Sequence, residues 1–324
     1  MTDPVLHLVR TRIDRTGLAR LAARRGVLDD DLGYALHQAL TKRFGPRAVQ
    51  PFRRMEPDAA TRRRLDPPVR DGVPTGRDEW DWLLSYSDDP DTLIAASTAG
   101  VGEGEPSFPD PSGDWGARER PDDERAVAAV FPEPFEVTPM PVRTDRATDG
   151  TVARRCWTGP SRLGFEVLVR PVRRHGPHVR AARAATNETR APSAPLATGR
   201  EHDAWLSAVE RFERDDPARP TRETAYADWL AERLAGAAEL ERFEDAPLLR
   251  RFRRSRVQRG RPGGKGRGRH GRGTEHPEAL MAGMLRVADP EAFAALLANG
   301  LGRHKAFGFG MLLLRPPSVP LSGR

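Results

Sequence analysis

The segment Asn299 to Arg315, NGLGRHKAFGFGMLLLR, constrains this chain more than any other. Its four glycines, Gly300, Gly302, Gly308 and Gly310, enclose the basic trio Arg303, His304 and Lys305, and the segment holds no Asp or Glu. Without a Cβ, glycine lets backbone N–H groups come close to a ligand. A concave run of such groups beside basic side chains favours an anion. An apolar run follows at once, Met311 to Leu314. The expectation is a loop that grips a phosphate-bearing ligand and then enters a buried strand.

The pattern upstream alternates strands and helices. Val5 to Ile13 is rich in β-branched and aliphatic residues and reads as a strand. Asp29, Asp30 and Asp31 offer an N-cap and favourable charge for a helix that runs to Phe44, where Gly45-Pro46 stops it. Leu32, Leu36, Leu40 and Phe44 recur every four residues and form its core stripe. Tyr34 and His37, three apart, are neighbours beside that stripe, and Thr41 continues their row. Asp78 to Ser87 and Thr92 to Ser97 read as strands, Phe131 to Val142 as an irregular or edge strand, and 143–160 as a polar linker.

A second set opens with the alternating strand Leu163 to Val172. Residues 173–200 read as a basic loop, 201–213 and 221–240 as helices, and Leu248 to Val257 and Leu280 to Val287 as strands. Asp289-Pro290 caps a helix that ends at Asn299-Gly300, before the glycine-rich segment and the last strand. The order predicts an α+β chain of two tandem ferredoxin-like (RRM-like) domains, 1–150 and 160–324, with loop insertions at 45–77 and 101–125. The aromatics Trp80, Trp82, Trp205 and Trp229 are expected in the cores.

Charge points the same way as the glycine-rich segment. Lysines and arginines number 53 against 46 acidic residues, a net charge of +7. Such a balance favours a polyanionic partner. Only Lys42, Lys265 and Lys305 are lysines, so the location of basic residues says more than their number. The densest run holds Arg250, Arg251, Arg253, Arg254, Arg256 and Arg259, followed by Lys265 in a Gly/Arg stretch from Gly260 to Gly273. It is suited to neutralising phosphates. The one cysteine, Cys156, excludes an internal disulfide and a thiolate zinc site. The other histidines follow no H-E-x-x-H or cysteine-paired spacing, so no metal and no cofactor are expected. No apolar run approaches the roughly 20 residues that span a bilayer. The first residues, MTDPVLHLVR, lack a basic start with an apolar core, so a cytoplasmic protein without a membrane partner is expected.

Three features together, the run Gly300 to Gly310, the N-terminal strand, and Tyr34-Ala-Leu-His37 on the first long helix, resemble CasE. That is the family of CRISPR repeat-processing endoribonucleases of type I-E systems. The resemblance implies an enzyme that cuts a CRISPR repeat RNA hairpin without metal, by attack of a 2′-hydroxyl on the neighbouring phosphate. The products are a 2′,3′-cyclic phosphate and a 5′-hydroxyl. It implies His37 as acid or base, Tyr34 as the group orienting the 2′-hydroxyl or phosphate, and other subunits of the type I-E surveillance complex as partners. Lys42 and the basic residues above are the expected RNA contacts. Two other readings compete: a non-catalytic RNA-binding subunit of the same fold, and a basic protein that binds any nucleic acid.

Overall fold

The structure is a computed structural model that describes residues 6–24, 32–45, 48–55, 80–87, 91, 126, 127, 129–131, 135–140, 143–146, 152–155, 162–174, 201–243, 246–257, 274–315 and 317. The strand expected at Thr92 to Ser97, Cys156, most of both insertions, the loop after Arg174 and the Gly/Arg stretch 260–273 lie outside the described residues.

The first unit starts with β1 (His7–Asp14), α1 (Arg15–Arg24) and α2 (Leu32–Phe44). It continues with β2 (Phe52–Met55), β3 (Trp80–Ser87) and β4 (Glu136–Pro139). These strands form one sheet in the order β2-β3-β1-β4, with every described pair antiparallel. A central first strand flanked by the third and fourth is the split βαβ order of a ferredoxin-like unit. Strand period two turns Val9, Thr11 and Ile13 of β1 to the helices and Leu8, Arg10 and Arg12 to the other face. The helix stripe meets that inner face: Leu36, Leu40 and Phe44 are buried with Ala35, Ala39, Leu18 and Leu21. Inside this core Asp81 is fully buried and paired with Arg15 and Arg54, each at 2.6 Å.

A small hairpin follows, β5 (Arg143–Arg146) against β6 (Val152–Arg155), where a plain linker was expected. The second unit holds β7 (Arg162–Val169), β8 (Val172–Arg174), β9 (Glu201–Asp203), α3 (Ala204–Val209) and α4 (Arg222–Leu234). Then come β10 (Ala238–Glu241), β11 (Leu249–Val257), β12 (Thr274–Val287), α5 (Pro290–Asn299) and β13 (Leu312–Arg315). The order β10-β12-β7-β13 repeats that of the first sheet. β12 is long enough, at 14 residues, to pair with β11 along one stretch and β10 along the next.

β10 corrects the sequence reading, in which a helix continued to residue 240. The cap geometry ends α4 at Ala235, and Gly236 at φ 87° turns the chain back into the sheet. At the start of α5 the expected cap is present: the Asp289 carboxylate accepts from the N–H groups of Glu291 and Ala292. Trp229 is buried as expected, whereas Trp82 is half-buried on the outer face of the first sheet, under the guanidinium groups of Arg10 and Arg12.

The two units touch through β3. Tyr86 is buried in the second core, and its hydroxyl donates to the Leu312 carbonyl at 3.0 Å. Among the described residues no helix is long and apolar enough to cross a membrane.

Candidate active site

The glycine-rich segment closes on itself. The Leu301 N–H donates to the Gly310 carbonyl at 2.8 Å, and the Gly310 N–H donates to Leu168 of β7 at 2.8 Å. Gly310 has φ 84°, and a Cβ there would meet the Leu301 carbonyl oxygen at 2.2 Å, so only glycine fits. Between these ends a short 3₁₀ turn, Lys305–Phe307, lifts Phe307 outward.

That turn meets α2. The Phe307 ring lies 5.9 Å from Tyr34 and 5.3 Å from His37, the latter edge-on at 87°. Gly33 allows the approach: a Cβ on it would sit 2.3 Å from the Phe307 carbonyl oxygen. Gly300 faces Pro51 and Gly308 faces Phe52, so β2 and the turn before it close the other side. Two motifs about 270 residues apart in sequence thus share one junction between the units.

His37 and Tyr34 are both half-buried. Burial lowers the His37 pKa below the ordinary 6.5, because desolvation disfavours the imidazolium. At neutral pH the ring is therefore neutral and able to take a proton. Its Nδ1 is 3.4 Å from the Thr41 hydroxyl, one turn along the same helix. With Nδ1–H donating to Thr41, the lone pair sits on Nε2. Lys42 lies half-buried on the same helix.

The basic trio divides. Arg303 is exposed and Lys305 half-buried, but the His304 side chain is turned inward and only 3% exposed. Its Nε2 is 2.7 Å from Glu201 Oε2, so His304, expected as an RNA contact, is instead an inner residue of the loop. Arg303 bonds the other oxygen of Glu201 at 2.7 Å. Of the basic run, Arg250, Arg251, Arg253 and Arg254 are exposed on β11, where Arg253 pairs with Glu278 at 2.6 Å and Arg254 lies 4.0 Å from Glu275. The side chain of Arg256, and Arg259 and Lys265 altogether, lie outside the described residues.

Glu201, His276 and Arg170 play no part in the sequence reading, yet all three hold this site. The Arg170 guanidinium covers Phe309 at 4.1 Å and donates to Ser255 at 3.1 Å. Burial opposes ionisation of Glu201, but the hydrogen bond from His304 and the charges of His304, Arg303 and His276 hold its pKa below the usual carboxylate value. No spacing in the sequence joins residues 201, 276 and 304; only the tertiary approach of β9, β12 and the loop does so.

A family model described as CRISPR associated protein matches residues 117–316, which include the second sheet and the glycine-rich loop. No curated protein matches the chain. Among solved structures, the chain is similar to Thermus thermophilus Cse3 bound to an RNA representing a pre-cleavage complex, at 17% identity and TM-score 0.42, with 96% of this chain and 100% of that one covered. It is also similar to Cas6e from Escherichia coli K-12, at 15% identity and TM-score 0.38, with 96% and 100% covered. A chain of a CRISPR RNA-guided surveillance complex matches at 17% identity and TM-score 0.39, with 95% and 100% covered.

Proposed function

From the premise that the chain belongs to the CRISPR-associated protein family, we propose that it is a metal-independent endoribonuclease that cuts CRISPR precursor RNA within the repeat. One observation carries this reading: Tyr34 and His37 converge on Phe307, the tip of the glycine-rich loop. A binding-only subunit would need no neutral histidine at the point where the RNA-gripping loop meets the other unit.

In the mechanism, the loop and the exposed arginines hold the phosphate backbone of the repeat hairpin. His37 Nε2 takes the proton from the 2′-hydroxyl, and Tyr34 orients that hydroxyl or the phosphate. The 2′-oxygen attacks phosphorus, basic side chains stabilise the extra negative charge, and the 5′-oxygen departs with a proton from water, leaving a 2′,3′-cyclic phosphate and a 5′-hydroxyl, while the proton held by His37 returns to solvent. Residues 1–150 carry the cutting helix and 160–324 the RNA grip. The product stays bound, and the protein works in the cytoplasm as a subunit of the type I-E surveillance complex. Cleavage of a repeat hairpin in EDTA, beside a substrate with a 2′-deoxy nucleotide before the cut, tests the reading. Cleavage that needs magnesium, or that survives the 2′-deoxy change, overturns it.

The pH dependence separates the two roles open to His37. A lowered pKa means the base form accumulates as pH rises through a midpoint below 6.5. With His37 as base, kcat/KM for the repeat climbs through that midpoint and is flat at pH 7–8, since this ratio reports free-enzyme pKa values. A fall over the same interval assigns it the acid role instead.

The loop's part is tested by affinity. Arg303→Ala with Lys305→Ala is expected to weaken repeat binding roughly tenfold and to lower the slope of log affinity against log salt by about 1–2. Unchanged values in a filter-binding salt series assign these two residues to structure alone.

A further inference from the structure

We propose that Glu201, His276 and His304 form a zinc site that fastens the glycine-rich loop to the second sheet. The three come from β9, β12 and the loop, and one ligand atom from each lies within 4.8 Å of the others. Two imidazoles and a carboxylate form a donor set zinc commonly takes, leaving a fourth position for water. Both histidines face one oxygen: His304 Nε2 is 2.7 Å and His276 Nδ1 3.8 Å from Glu201 Oε2. Zinc bonds of about 2.0–2.2 Å put tetrahedral ligands about 3.3 Å apart, so each carboxylate–imidazole pair adjusts by about half an ångström, while the two imidazole nitrogens, within 4.8 Å of each other, draw together.

Three further observations fit a metal. The side chains are 6%, 4% and 3% exposed, which shields the ligands from bulk water. Arg303 bonds the other carboxylate oxygen, Glu201 Oε1, at 2.7 Å, the position of an outer partner that orients a ligating carboxylate. His304 adopts a left-handed backbone at φ 62°, and it is the one non-glycine residue to do so among the described residues. Such a conformation persists where surrounding contacts fix it, often at a ligand site. Among the described residues, two charged groups approach the cluster: Arg303 and, at 3.9 Å from Glu201, Arg174. Both are cations, and they leave Oε2 to the histidines.

The site also bears on RNA. The His304 ring lies 6.0 Å from Phe307, tilted at 41°, and Phe307 touches Tyr34 and His37, so a metal here would stiffen the turn that meets α2. It takes no part in the cleavage step, which stays EDTA-tolerant in the function proposed above.

The test reads metal, not cleavage, so its failure leaves the ribonuclease reading intact. Full-length protein stripped with a chelator is titrated with zinc and, for its visible spectrum, with cobalt(II). One equivalent of cobalt with tetrahedral d–d bands is expected. Glu201→Gln and His276→Ala should weaken zinc binding by more than the roughly 10–100-fold that loss of an outer partner costs. Because those variants disturb a buried cluster, zinc titration of the wild-type protein followed by imidazole ¹⁵N shifts supplies an independent reading, with His276 Nδ1 and His304 Nε2 expected to move. Binding below one equivalent, affinity unchanged in both variants, or shifts at other histidines only would overturn the proposal and leave a histidine–carboxylate ion pair.

Discussion

His37→Ala is expected to lower single-turnover cleavage of the repeat hairpin by about 10²- to 10⁴-fold, the range supplied by a positioned proton-transfer group. Repeat affinity should change little, because His37 is one half-buried ring on α2, and the proposed function assigns the charge that binds RNA to the basic residues of the loop and β11. The separation of the two quantities is the point. Loss of binding along with cleavage would make His37 a packing residue under Phe307, whose ring it meets edge-on at 5.3 Å. His37→Asn is the control for packing: it keeps a polar side chain of similar width and removes the titrating nitrogen. Cleavage retained within threefold in either variant, measured with saturating protein in EDTA, would remove His37 from the mechanism, whereas tight repeat binding with no cleavage by the wild-type protein would return the chain to the non-catalytic reading. Tyr34→Phe should cost less than His37→Ala, since it removes an orienting hydroxyl and keeps the ring 5.9 Å from Phe307.

Much of the framework that carries this site was legible in the sequence because its signals are local. The cap at Asp289, the stop at Gly300 and the four-residue stripe on α2 each rest on chemistry within one turn of chain, and each appears where that chemistry puts it. The edge strand β4 was legible for the same reason, since its proline, Pro139, lacks an N–H and suits a strand at the sheet edge. Strand β10 was not. Its residues, AELE, continue the helix-favouring run of α4, and what makes them a strand is β12 alongside. Glu201 and His276 were illegible for a stronger reason. Their meaning lies in convergence with His304, across separations of 103 and 28 residues, and no spacing rule reaches so far. The inward turn of His304 was illegible likewise: the trio Arg303-His304-Lys305 looks uniform in sequence, but the left-handed turn at His304 sends its side chain inward while Arg303 stays exposed.

Gly33→Ala tests whether the junction itself matters, at a residue that carries no chemistry. The added Cβ would lie 2.3 Å from the Phe307 carbonyl oxygen and 3.1 Å from its carbonyl carbon, both backbone atoms that cannot rotate away. In an isolated helix the change would be favourable by about 0.5–1 kcal/mol, because alanine holds helical backbone better than glycine. Here the clash opposes that gain. Either α2 or the 3₁₀ turn must retreat by roughly an ångström, and overpacking of this kind costs about 1–3 kcal/mol. The net sign is therefore a measure of contact: a lowered Tm means the loop presses on α2 in solution, and a raised Tm means it does not. Cleavage should fall further than stability, since a shift of about 1 Å in a positioned catalytic group costs on the order of 100-fold in rate. The retreat moves Tyr34 and His37 together away from Phe307, and with it from the RNA that the proposed function places on the loop. Ala35, one residue from Tyr34, is buried in the helix core and faces away from the turn, so Ala35→Gly serves as the comparison. It should lower stability through helix propensity and a small void while leaving the junction in place. A drop in the folded-state cleavage rate for Gly33→Ala and none for Ala35→Gly would show that the meeting of helix and loop, and not stability alone, sets the rate.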